Sequence, residues 1–133
     1  MSLLDDLVSM IVTAGIATEL DTDIFENFMP DLPESVVDLE EFDSVVSPIR
    51  GANASVRYIQ VKVRDRSSSV AQTKAKQIFD LLMHSDSDDE DIMYLTSGRW
   101  VIINPQQLPF KIAITEHDLY VWGFNAAITT SND

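Results

Sequence analysis

Hydrophobic and polar residues alternate most strictly over residues 56–64, which read Val-Arg-Tyr-Ile-Gln-Val-Lys-Val-Arg. Ile59, Val61 and Val63 point one way; Tyr58, Gln60, Lys62 and Arg64 point the other. A period of two is that of a strand with one face buried and one wet. Residues 65–69, Asp-Arg-Ser-Ser-Ser, break the pattern with side chains that favour turns and helix N-caps. The period then changes. Ala71, Ala75, Ile78 and Leu82 fall at i, i+4, i+7 and i+11, one face of a helix that leaves Lys74, Lys76 and Asp80 off it. Ser69 and Gln72 have the spacing of a capping box. The pattern predicts a strand over 55–65 and a helix over 69–84.

Leu3, Leu4, Leu7, Met10, Ile11 and Ala14 make the stripe of a first helix over 2–16. Ser2 is its cap, Asp5 and Asp6 sit in its first turn and Gly15 stops it. A short strand is expected over 24–29, then a turn at 31–32 bracketed by Pro30 and Pro33. Residues 36–42 alternate, Val37, Leu39 and Glu41 against Val36, Asp38, Glu40 and Phe42. The following loop, 44–54, carries Val45, Val46, Ile49 and Arg50 and contains Pro48 and Gly51. It either docks on a partner or folds back over the core. Further strands are expected over 99–104, 110–115 and 118–128, the last two joined at residues 115–118. In the last strand Tyr120, Trp122, Phe124, Ala126 and Ile128 form the expected core face, and the tail from Thr129 is expected to fray. Together these elements predict one α+β domain over residues 1–133. It has a mixed or antiparallel sheet of about four to six strands, two helices packed on it and a long hairpin loop.

At 133 residues the chain can bury a real core without staples. The absence of cysteine removes disulfides, thiol catalysis and thiolate metal sites. No apolar run is long enough for a membrane span, and acidic residues occupy the place of a secretion signal's basic start. Charge changes the picture most. The net charge is −13, which repels free nucleic acid. Residues 1–49 hold twelve Asp or Glu and no Lys or Arg, whereas seven of the nine basic residues lie between 50 and 76. Either these charges pair within the fold, or the basic face of one copy meets the acidic face of the next. Heterologous contacts of the second kind close into rings when the rotation allows.

Candidate chemistry is sparse. Residues 84–91 carry a dense acidic run, but counted from Asp86 the calcium-loop positions for Gly and Glu hold Asp91 and Ser97, so the run reads as a solvated loop. His84 and His117 stand in loops without metal-ligand spacing. One near match is to metal-dependent nucleases, which need two carboxylates and a lysine; Asp31 with Gln60 and Lys62 supplies Gln in place of the second acid. No catalytic residue, metal site or cofactor is expected, and no enzyme.

The segment from Val56 through Arg66, with Ala71, Ala75, Ile78, Leu81 and Leu82 after it, resembles the core signature of phage tail-terminator and minor capsid (head–tail joining) proteins. That signature is an apolar strand ending in Val-x-Val-Arg, a polar turn and an Ala-rich helix. The Met-Pro-Asp-x-Pro turn at 29–33, the Gln-x-Pro-Phe step at 107–110 and Asn125 in the closing strand agree in order. The resemblance implies a ring of copies of the chain, usually six, at the head–tail junction of the virion, assembled in the host cytoplasm. Such a ring caps the tail tube protein, meets the head connector, passes DNA as cargo and touches no membrane. A head-completion or neck protein on the connector side is the alternative. On this reading Lys62, Arg64 and Arg66 are candidates for the subunit interface, and Asp38, Glu40, Glu41 and Asp43 for acids of the lumen or rim. Val45, Val46, Ile49 and Arg50 are candidates for docking a partner.

Overall fold

The alternating segment forms the centre of a seven-stranded sheet. The computed structural model describes residues 2–46, 54–83, 92–95 and 97–131. In chain order they form α1 (Leu3–Thr13), β1 (Ile24–Glu26), β2 (Val36–Val46), β3 (Ala54–Asp65), α2 (Ser68–Met83), β4 (Ile92–Tyr94), β5 (Trp100–Pro105), β6 (Phe110–Ile114) and β7 (Tyr120–Ser131). The sheet order is β1-β2-β3-β7-β5-β4, with β6 also on β7. All pairings are antiparallel except β1 with β2. The α+β class and the mixed sheet are as expected. The seventh strand, β4, is three residues long and too short to show a period.

β7 holds the sheet together because both its edges are used. On one edge it pairs with β3 along its whole length, from Ala54↔Ser131 to Asp65↔Tyr120. The other edge is divided: β6 takes Tyr120 to Gly123 and β5 takes Ala126 to Thr130. At the handover the Asn125 N–H donates to Gln107 Oε1 (3.2 Å), and its carbonyl accepts from Gln106 N–H (2.9 Å). The connection between β5 and β6 thus satisfies backbone groups that neither strand reaches. Gly123 sits where backbones crowd most: a Cβ there would lie 2.0 Å from the Val61 carbonyl oxygen and 3.0 Å from Ile112 Cδ1. Residues 129–131 do not fray. They continue the ladder, and the buried Thr130 hydroxyl donates to the Trp100 carbonyl at 2.9 Å.

The core lies between one sheet face and the helices. Ile59, Val61, Val63, Phe124, Ala126 and Ile128 face Ala71, Ala75, Ile78 and Leu82 of α2. The two alanines let the helix approach closely, and Phe79 packs edge-on against Phe124 at 5.2 Å. α1 covers β1 and β2 with Leu3, Leu4, Leu7, Val8 and Ile11. Its start is a complete capping box between Ser2 and Asp5, and Gly15, at φ 79°, follows its end. α2 is capped by Ser67, not Ser69. The Ser67 hydroxyl accepts from Val70 N–H, while its own N–H donates to Asp65 Oδ1.

Two strand ends differ from expectation for local reasons. β1 stops at Glu26 because Asn27 turns to φ 57°, donates its N–H to the Leu39 carbonyl and accepts from Glu41 N–H. β2 runs on to Val46 because its register with β3 shifts between Glu41 and Asp43 and then resumes. That bulge breaks the period of two without ending the strand.

A buried ion pair ties the first helix to the far side of the sheet. Arg99 Nε donates to Asp6 Oδ2 at 3.0 Å, with both side chains almost wholly buried. Arg99 Nη1 reaches the Ser131 carbonyl at 3.4 Å. Arg99→Met should destabilise the fold by about 3–5 kcal/mol in denaturant titration, since it strands a buried carboxylate. Gly123→Ala should cost at least as much, because the clash is with backbone; a wild-type midpoint for that variant would refute the crowding described above.

Candidate assembly surfaces

The sheet face turned away from the helices carries Asp38 and Glu40 on β2, Gln60, Lys62 and Arg64 on β3, and Asn125 on β7. β-sheet register sets Asp38 beside Lys62 and Glu40 beside Gln60. Lys62 Nζ donates to Glu40 Oε1 at 3.0 Å and lies 3.7 Å from Asp38 Oδ2. Arg64 is 6% exposed and gathers the chain before β2 around itself. Its Nη2 donates to the carbonyls of Pro30 (2.6 Å), Pro33 (2.7 Å) and Asp31 (3.2 Å), and Nε to that of Glu34 (3.1 Å). A guanidinium fork can hold several carbonyls at once, where an ammonium is a single point of charge. The turn over 30–34, with a cis bond before Pro33, is thereby laid over the polar face.

That covering has an electrostatic consequence. Asp38 is 0% exposed; its Oδ1 accepts from Phe28 N–H at 3.1 Å, and Oδ2 has no hydrogen-bond partner. Burial, with the neighbouring Glu40 carboxylate, pushes Asp38 up to about 7, while Glu40 is held below its ordinary range. Glu26 is likewise raised to about 7 by burial and by Asp5 beside it. Asp5 is lowered by the same contact and by Ser2.

The residues singled out in the sequence divide sharply. Lys62 is half-buried and paired with Glu40, and Arg64 is buried against backbone carbonyls, so within the chain both cations are already engaged. Arg66 is exposed and holds Glu34 at 2.7 Å, which raises its pKa. Glu41 takes a two-point contact from Arg57 through Nε and Nη2. Asp38 cannot offer charge to a lumen because it is buried. Asp43, Val45 and Val46 lie on β2, where the backbone alone is described, and Ile49 and Arg50 lie outside the described residues. So do His84 and the acidic run after it. Asp31 is exposed in the turn, and the acids beside Lys62 are Asp38 and Glu40 instead. No group of three or more His, Asp or Glu could hold a metal among the described residues.

What the alternation did not reveal is where apolar surface remains uncovered. Leu32 in the turn is 75% exposed and Leu108, ahead of β6, is 73% exposed. Phe28, Phe42, Tyr94 and Ile114 are also exposed. β6 reads Phe-Lys-Ile-Ala-Ile, apolar except for Lys111, and is mostly exposed along its length. A largely apolar free edge, guarded by one lysine, can pair with another chain. The signal was present in the sequence as a strand in which four of five residues are apolar. Among the described residues no helix is long and apolar enough to cross a membrane.

Comparison with known proteins gives a direct family match. The family model described as bacteriophage tail terminator protein matches residues 11–132. A chain from the virion of a native gene transfer agent particle has the same fold, at a TM-score of 0.69 and 14% identity, over 98% of this chain and 96% of that one. No curated protein matches by sequence.

Two expected outcomes follow from the raised acids and from Arg64. Folded Asp38 and Glu26 hold protons that the unfolded chain releases between about pH 4 and 7, so stability should fall as pH rises through that window. Thermal melts should show a higher Tm at pH 5.5 than at pH 8. The combined variant Asp38→Asn, Glu26→Gln should be more stable than wild type at pH 8 and lose that dependence. Arg64→Lys should free the 30–34 turn, seen as faster limited proteolysis there; an unchanged cleavage rate would mean that the carbonyl cluster does not hold the turn.

Proposed function

This chain belongs to the bacteriophage tail terminator family, structural proteins of the phage particle, and from that membership we propose that it assembles as a ring, of six copies, at the head–tail junction. The observation that carries the proposal is the family match over residues 11–132. On this reading the ring caps the finished tail tube, stops its growth and offers its other face to the head connector, while DNA passes through the lumen. Its role is assembly rather than catalysis.

Physical features support the reading. A net charge of −13 disfavours binding of the phosphates that pass through such a ring. Uncovered apolar residues on the turn, on the loop before β6 and on β6 itself are what a protein that works in an assembly needs. The second reading, a head-completion protein on the connector side, shares these features and differs only in partner.

Light scattering during size-exclusion chromatography should give a discrete ring-sized species, in solution or after addition of short tail tubes. Added to growing tubes, the protein should stop elongation and bind the ends. A strict monomer that neither binds nor arrests tubes would overturn the proposal. Retention by the connector protein alone would move the chain to the connector side.

A further inference from the structure

Resting on the ring reading, we propose that the contact between neighbouring copies places the Leu32 turn of one copy in the cleft between α2 and the loop before β6 of the next. Of the eight cations among the described residues, five are engaged, and Lys74, Lys76 and Lys111 are in no ion pair there. Arg57, Lys62, Arg66 and Arg99 are in ion pairs within the chain, and Arg64 is held by carbonyls. Lys76 is exposed and makes no ion pair among the described residues. It lines a cleft of about 280 Å³ together with Gln72, Phe79, Asp80, Leu108 and Pro109. Phe79, Leu108 and Pro109 make its apolar part, Leu108 is largely exposed there, and its charged lining is Lys76 together with Asp80.

The complementary feature lies on the opposite side of the sheet. α2 packs on the face of Val61, Val63 and Phe124, whereas the 30–34 turn is bonded to Arg64, which points from the other face. At the tip of that turn Leu32 is the most exposed of the large apolar residues, and Asp31 beside it makes no ion pair among the described residues. Leu32 thus matches the apolar part of the cleft, and Asp31 beside it has Lys76 to pair with, in competition with Asp80 on the same helix. Because the two patches lie on opposite faces of one sheet, joining them repeats one rotation from copy to copy. That is a heterologous contact, the kind that closes into a ring. The four carbonyl bonds from Arg64 hold the tip in place before association, so little order is lost on docking.

The chain has no cysteine, so introduced cysteines can map the contact. Leu32→Cys and Leu108→Cys are prepared separately, one with a size tag, then mixed and oxidised mildly. The mixed disulfide should exceed either self-disulfide several-fold, and the double variant should give a ladder ending at the ring number. Lys76→Glu should weaken association roughly five-fold at low salt, with Asp31→Lys restoring it in the same chain. If wild type forms rings but the mixed disulfide is absent, or each variant links to itself equally well, this contact is wrong and the ring reading stands. If no oligomer forms with or without tubes, both fall.

Discussion

The fold depends on one strand having two full edges. β7 is bound along its length to β3, and its other edge is shared by β6 and β5. β2, β3, α2, β4, β5 and β6 therefore meet β7 directly or through a single neighbour. The division works because the chain between β5 and β6 supplies Gln106 and Gln107 to the gap, and because position 123 has no side chain. A bulkier residue would separate β3 from β7 where α2 packs across both. The helix seat, the core and the position of β6 all follow from that ladder.

Part of the charge in this protein is internal. Most of the described acids remain on the surface, but Asp6 and Asp38 are buried and Glu40, Glu41 and Glu34 are engaged by cations. Those pairs join β2 to β3, the connection before β2 to the start of α2, and α1 to the β4–β5 turn. Buried ionic contacts specify which segments meet more than they add stability. Asp38 and Glu26 show the accompanying strain: each is held protonated more readily than an exposed acid, because its surroundings offer too little positive charge.

Arg64 links this electrostatics to the surface. By binding four backbone carbonyls it turns a proline-bracketed connection into a fixed projection with Leu32 at its tip. On the helix side, Leu108 and β6 remain uncovered because β7's ladder places them beyond the reach of α2's apolar face. A domain that leaves Leu32 and Leu108 uncovered on two opposed surfaces is shaped for contact with other subunits, which accords with a family of structural phage proteins.

The sequence by itself determined the local periods and therefore the main elements. Ile59, Val61 and Val63 against Lys62 and Arg64, then the Ala71–Leu82 stripe, were legible because a strand's period of two and a helix's of 3.6 are set by backbone geometry alone. The resemblance in the same residues led to the family. Only the tertiary structure decided which charges meet. Arg64 and the carbonyls at 30–34, or Arg99 and Asp6, lie far apart along the chain, and no local pattern records a partner brought near by folding. The same reason explains Asp38: its alternation placed it on the wet face, but the segment crossing that face removed the water. Bulges hid the end of β2, and the length of β4 hid it altogether, since both defeat the counting on which periodicity rests.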